Sequence, residues 1–134
     1  MKRFLCMLLL AAAVICLAGC AAGPIKTKAE TSVTFYSAPK AEEEVLGAPA
    51  VWNAGNAIEW RNALTLRKYV NAVKSWTDDN AVDREPFEFI GEFQVKDSGR
   101  VFFFTEDGTV YYDHYYGTLS DEGRAFLLGL RPAE

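Results

Sequence analysis

Apolar and polar residues alternate over the second half of the chain, from Pro86 to Tyr116. In the first predicted strand one set of alternate positions is Phe87, Phe89, Gly91, Phe93 and Val95. Alternation with a period of two is typical of a strand with one buried face. Turn residues at Asp97-Ser98-Gly99 and at Glu106-Asp107-Gly108 divide the region. The pattern predicts an antiparallel β-meander.

The first turn sets the register of the first two strands. A two-residue Ser98-Gly99 loop would place Val95 opposite Phe102 and Phe93 opposite Phe104. Both apolar sets would then lie on one side of the sheet. We expect four phenylalanines to be buried together on that side: Phe89, Phe93, Phe102 and Phe104.

The second turn contains a glycine suited to the left-handed conformation. A bulged three-residue loop ending at Gly108 would pair Phe104 with Val110 and keep Asp113 in water. A two-residue Asp107-Gly108 loop would instead turn Asp113 inward, where a carboxylate is costly to bury. We therefore predict the bulged loop.

Helical spacing of apolar residues predicts one long helix over Asn56–Thr77, which would pack on the sheet through Leu66, Val70 and Val73. Ser120 is a suitable N-cap for a short C-terminal helix. The residues expected to dock that helix are Ala125, Phe126, Leu128 and Leu130. Together with the meander, these helices predict an α+β fold.

A short strand is predicted over Ser32–Ser37, ended by Pro39. The acidic run Glu42-Glu43-Glu44 is typical of a solvated loop or a helix start.

The side of the sheet away from the long helix carries its own aromatic residues. Adjacent residues of a strand point to opposite faces, so one tyrosine of each of the pairs Tyr111-Tyr112 and Tyr115-Tyr116 must leave the core side. If no helix covers that side, Phe103, Tyr111 and Tyr115 form an exposed aromatic surface suited to a partner. The alternative is that both faces are covered and the tyrosines only pack.

The N-terminus is organised differently from the rest. Lys2 and Arg3 precede an uncharged apolar run from Phe4 to Ala18. The end of this run overlaps the sequence Leu17-Ala18-Gly19-Cys20. This order of basic, apolar and small residues is typical of a secretory signal. The alternative is an uncleaved transmembrane anchor, since no charge occurs between Phe4 and Ile25, although Gly19, Gly23 and Pro24 interrupt the last part of this stretch.

The L-A-G-C sequence resembles the lipobox of bacterial lipoproteins. The resemblance covers the first 20 residues and implies that Cys20 receives a diacylglyceryl group and becomes the N-terminus after cleavage. It divides the chain into a cleaved signal (1–19), a lipidated cysteine with a flexible tether (20–31) and one globular domain (32–134). Ala21 favours the outer membrane in a host with two membranes.

Composition narrows the range of functions. Removing Lys2 and Arg3 from 14 basic residues leaves 12 against 18 acidic ones, a formal charge of −6. A chain this acidic gains little from binding phosphates, so nucleic acid is not expected as a partner. Cys6 and Cys16 belong to the signal, so a lipidated Cys20 leaves no thiol for a disulfide, a metal or catalysis.

Catalytic motifs are absent from the sequence. His114 is the only histidine, and no G-x-S-x-G elbow accompanies it, so we expect a hydrogen-bonded structural histidine that points toward Tyr112 and Tyr116. The oxygen-rich run Asp78–Glu85 lacks the register of a calcium-binding EF-hand loop and is interpreted as a solvated loop. We expect no catalytic residue, no metal and no cofactor.

The sequence favours a lipid-anchored, non-enzymatic lipoprotein of the cell envelope. Its partners would be the membrane, through lipid on Cys20, and an envelope protein or wall component bound by the aromatic face. The alternatives are a small carboxylate-dependent cell-wall hydrolase and a surface inhibitor or exclusion factor.

The lipobox generates a direct prediction. Replacing Cys20 with Ser should leave an uncut precursor without lipid mass, because the thiol is the lipid acceptor. Mass spectrometry of the membrane fraction checks both properties. Processing and lipid attachment that persist in the Cys20→Ser protein would contradict the lipobox interpretation.

Overall fold

A computed structural model describes residues 31–47, 58–95 and 100–133 of the chain. Cys20, the signal and most of the predicted tether lie outside these residues, as do Ser98 and Gly99. The described part has an α+β fold, in which a six-stranded antiparallel sheet is covered by helices. None of its helices is long and apolar enough to cross a membrane.

The described residues form six strands, three α-helices and one 3₁₀ turn. The strands are β1 (Thr31–Ala41), β2 (Thr77–Asp78), β3 (Glu88–Val95), β4 (Arg100–Thr105), β5 (Thr109–Tyr112) and β6 (Tyr115–Thr118). The α-helices are α1 (Glu42–Leu46), α2 (Trp60–Asn71) and α3 (Asp121–Leu130), and a 3₁₀ turn occupies Asp79–Ala81. The spatial order of the strands is β1-β3-β4-β5-β6-β2.

The predicted meander is confirmed as β3 to β6, with one change of register. Phe93 lies opposite Phe102, and Val95 lies opposite Arg100, so the predicted pairs Val95–Phe102 and Phe93–Phe104 are wrong by two residues. A shift of two positions keeps each side chain on its face. Phe93, Phe102 and Phe104 are therefore buried together as expected.

Phe89 is the exception, and a bulge explains it. Phe89 pairs with Thr105 and Gly91 with Phe104, so Ile90 is an extra residue in β3. An extra residue reverses the alternation of the residues before it. Ile90 therefore lies in the main core, whereas Phe89 is buried on the opposite face beside Val45 and Tyr111.

The bulged loop after β4 is confirmed. Gly108 has a φ of 91°, and Phe104 pairs with Val110. Asp107 fixes the loop, since it accepts hydrogen bonds from the hydroxyl of Thr105 and from both the amide (3.0 Å) and the hydroxyl (2.8 Å) of Thr109. Asp113 is exposed, as predicted.

The long helix is shorter than predicted. Helix α2 ends at Asn71 rather than Thr77, and Val73 N–H already bonds to the carbonyl of Val70 at 3.2 Å. Leu66 and Val70 are buried in the main core, and Val73 and Trp76 pack against it from the segment that follows the helix. These two side chains continued the apolar spacing without continuing the helix.

The ends of the domain differ from expectation in three details. Pro39 does not end β1, which continues to Ala41 as an edge strand with an irregular pairing between Phe35 and Lys40; an edge strand tolerates the missing donor of proline. Thr31, assigned to the tether, begins β1. In α3, Ser120 Oγ accepts from Gly123 N–H at 3.1 Å as predicted. Phe126, Leu128 and Leu130 pack against the core as predicted, but Leu127 is the fully buried residue of this helix and Ala125 is exposed.

The core generates a stability prediction. Phe93 is fully buried opposite Phe102, with ring centroids 5.7 Å apart. The Phe93→Ala protein should lose about 3–5 kcal/mol of unfolding free energy in chemical denaturation. Phe93→Leu, which leaves a smaller cavity, should lose less. A Phe93→Ala protein as stable as the parent would contradict this core.

Candidate functional site

The second face of the sheet, away from α2 and α3, is where the sequence placed a partner surface. Phe103 and Tyr111 are direct cross-strand neighbours on this face. Tyr111 is only 4% exposed, however, and Phe103 is half-buried. The prediction of an exposed surface is therefore wrong for Tyr111, so its substitution would disturb packing rather than binding alone.

Tyr115 lies on the other face. Asp113 and His114 form a tight turn with φ values of 44° and 67°, so Tyr112 pairs with Tyr115 and Tyr111 pairs with Tyr116. A single strand running through Tyr116 would have placed Tyr115 on the face of Tyr111, and the turn exchanges the two tyrosines. Tyr116 is the true neighbour of Tyr111 on the second face.

The same turn corrects the prediction for His114. Its side chain is exposed instead of lying on a strand face toward Tyr112 and Tyr116. His114 contributes to the fold through its backbone carbonyl, which accepts a hydrogen bond from the N–H of Asp79 at 2.7 Å. That bond joins the start of the 3₁₀ turn to the hairpin.

Three charged residues, Glu42, Asp79 and Arg84, form an ion-paired cluster over the second face, which we call the clasp. Arg84 Nε and one terminal nitrogen donate to Asp79 at 2.5 and 2.7 Å. Both terminal nitrogens donate to Glu42, at 2.7 and 3.0 Å. The fifth donor bonds to the carbonyl of Glu85 at 3.0 Å. A guanidinium has five N–H donors, and all five are used.

Aromatic rings surround the same guanidinium. Arg84 Cζ lies 3.8 Å from the ring centroid of Phe87, and 5.8 and 5.7 Å from those of Tyr111 and Tyr116. The ring of Phe87 in turn contacts both tyrosines edge-on. A cation over aromatic faces is favourable, and more so when water is excluded. The clasp therefore covers the aromatic surface with a residue of the chain itself.

The clasp perturbs the groups that form it. Hydrogen bonds from Arg84 lower the pKa of Glu42 and of Asp79. Burial, followed by the negative charge of Asp79, raises the pKa of the Tyr111 hydroxyl to about 12; this hydroxyl donates to Asp79 at 3.3 Å. Both carboxylates are thus held ionised by structural bonds, which does not suit a general acid.

The acidic loop is therefore only partly solvated. Asp79 is bound to Arg84, and Asp78 accepts from the N–H of Asn80 at 2.9 Å, whereas Asp83 and Glu85 are exposed. Within the described ranges, no group of three or more His, Cys, Asp and Glu side chains is placed to hold a metal ion.

The edge cleft lies where β6 borders the segment between α2 and β2. It has a volume of about 440 Å³, a size typical of sites for small ligands. Described residues line it from two sides: Tyr69, Ala72, Val73, Lys74, Ser75 and Thr77 on one, and Tyr116, Gly117, Thr118, Leu119 and Ser120 on the other.

Gly117 makes the close crossing at this cleft possible. A Cβ atom at Gly117 would lie 2.6 Å from Val73 Cγ1 and 2.9 Å from the carbonyl oxygen of Ser75. Any side chain would thus push this segment away from β6. The sequence offered a signal here, since an isolated glycine in a strand often marks a close backbone approach.

The cleft has the chemistry of a binding site. Lys74 is the only charged residue among the described residues that line it, and they include no Asp, Glu or His. The lining includes the hydroxyl-bearing residues Ser75, Thr77, Thr118 and Ser120 together with Tyr69 and Tyr116, although the ring of Tyr116 packs on Phe87.

Comparison of the chain with protein-family models, curated proteins and solved structures found no match in any of the three.

The clasp generates a prediction on pH. Arg84 lowers the pKa of Glu42 and of Asp79 in the folded state. The stabilisation that the clasp supplies is therefore fully present at a pH above the ordinary carboxyl pKa, and it is lost as the pH falls through the lowered pKa values. Arg84→Gln should therefore cost on the order of 2 kcal/mol at neutral pH and much less in strong acid. Denaturation curves across pH measure this, with exposed Arg61→Gln as the control. An equal cost at all pH values would contradict the clasp.

Proposed function

We propose that the chain is a lipid-anchored lipoprotein of the bacterial cell envelope, and that its domain is a non-enzymatic module that binds an envelope protein or wall component at the edge cleft. The lipobox at Cys20 supports the anchor, and a location in the outer membrane follows if the host has two membranes. The observation that carries the binding role is the cleft itself, an open site lined mainly by uncharged residues that include serines and threonines.

We place the proposed binding surface at the edge cleft and not on the aromatic face. Arg84 and Phe87 already occupy the rings of Tyr111 and Tyr116. A partner would have to displace five hydrogen bonds of the guanidinium before reaching them. The edge cleft needs no such displacement, so it is the better candidate.

The carboxylate-dependent hydrolase is less well supported. It requires two carboxyl groups that face a substrate across a pocket, one of them protonated at working pH. Glu42 and Asp79 instead share one guanidinium, with lowered pKa values. Another carboxylate on this face, Glu92, is also engaged: it accepts hydrogen bonds from Tyr36 and, at 2.8 Å, from Gln94.

Site-specific crosslinking in the host envelope tests the proposal. A photoreactive residue at Ser75 or Thr118, which are exposed at the cleft, should form adducts with a defined partner. The same residue at Ala125 or Asp83, which are exposed elsewhere, should not. Electrophoresis and mass spectrometry of the adducts identify them. Adducts only from the control positions, or none from any position, would contradict a binding role for the cleft.

A further inference from the structure

The hydrogen bonds of β6 alternate between its two neighbours. Leu119 N–H donates to Gly108 in the direction of β5 at 2.9 Å, and the carbonyl of His114 accepts from Asp79 in the direction of β2 at 2.7 Å. In an antiparallel ladder successive residues direct their backbone groups to opposite sides. Residues 115, 117 and 119 therefore face β5, and residues 114, 116 and 118 face the other edge.

Strand β2 uses only part of that edge. It has two residues, Thr77 and Asp78, and they pair with Tyr116 and Tyr115. If β2 extended toward its N-terminus, Ser75 would lie opposite Thr118. Instead the segment Val73–Trp76 crosses the core face at Gly117, as the contacts to Val73 and Ser75 require. Thr118 pairs with Thr109 of β5, but within the described chain no strand pairs with it on the opposite side, where β2 would continue.

The edge cleft is located at this vacant position in the sheet. Thr118 is exposed and lines the cleft together with Ser75 and Ser120. A free strand edge is a template for an incoming strand, which binds through backbone hydrogen bonds and is selected through its side chains. The vacant length is short, because Ser120 already caps α3.

Charge narrows the class of partner. The full chain has a formal charge of −4, but the only charged residue among those described at the cleft is Lys74, which is exposed. An acidic group on the incoming strand would be attracted to this cation.

We propose that the edge cleft binds an extended acidic segment of a partner protein, which adds to the sheet beside Thr118 and places a carboxylate at Lys74. This inference rests on the proposed function and specifies its ligand. Recognition combines a few backbone hydrogen bonds with one ion pair, so the affinity for a short segment is modest and depends on salt.

A peptide titration tests strand addition on the full lipidated protein in detergent micelles. The probe is the capped peptide acetyl-Thr-Val-Glu-Val-Thr-amide, and the readout is the NMR shift of the Thr118 amide together with the dissociation constant. We expect the Glu peptide to bind several-fold more tightly than its Gln counterpart. Lys74→Glu should weaken binding about three- to tenfold and remove that preference. The matched control Lys68→Glu, an exposed lysine outside the cleft, should retain both.

N-methylation of the probe separates strand pairing from charge alone without altering the protein. Methylation of alternate amides should give two unlike peptides, one that loses most of its binding and one that keeps it, since only alternate N–H groups face the sheet edge. Equal effects of the two methylations, or no shift at Thr118, would overturn the proposal. Sedimentation that shows a dimer dissociated by the probe would also overturn it, because the occupant would then be a second copy.

The two levels of the proposal fail separately. Adducts at Ser75 and Thr118 without peptide pairing would retain the binding module and remove strand addition. Peptide pairing without any adduct in the envelope would remove the proposed function, and with it the identification of the partner as a protein segment.

Discussion

The sheet is apolar on both faces, and the burial of the Arg84 guanidinium is the interaction that lets the second face close. A cation is costly to bury unless its donors are satisfied. Here two carboxylates and one carbonyl accept all five N–H bonds, while the ring of Phe87 covers the plane. The acceptors come from α1 and the 3₁₀ turn, so one side chain ties two distant segments over the aromatic surface. The irregular cover replaces a second long helix.

Periodicity predicted most of the fold and failed where one residue changes its parity. The meander, the capped C-terminal helix and the Phe104–Val110 pair follow from alternation, from Ser120 and from Gly108. The bulge at Ile90 and the turn at Asp113-His114 each reverse which residues face the core. Gly91, beside the bulge, was the available local signal, since a glycine inside a strand often marks a bulge; the turn carries no glycine and left no such signal. That is why Phe89 and Tyr115 were assigned to the wrong faces.

The candidate site was harder to predict than the fold. Glu42, Asp79 and Arg84 are ordinary surface residues in sequence. The oxygen-rich run contained both Asp79 and Arg84, but Glu42 lies 42 residues before Arg84 and meets it only in the fold. The edge cleft depends on an absence of pairing on one side of Thr118, which no composition or motif encodes. At the cleft, Gly117 was the sequence signal of a close crossing, and the structure shows that Val73 and Ser75 are the residues that cross it.

The clasp and the edge cleft are mechanically linked through β2. Asp79, which anchors Arg84, directly follows the two residues of β2, and its N–H bonds to His114 at the end of the hairpin. Tyr116 packs its ring on Phe87 and also lines the cleft. The clasp therefore holds β2 in register at one end, while Gly117 diverts the preceding segment at the other. Within the described chain, the side of Thr118 away from β5 is therefore left without a strand partner, and a preformed site loses less conformational entropy on binding than a flexible one.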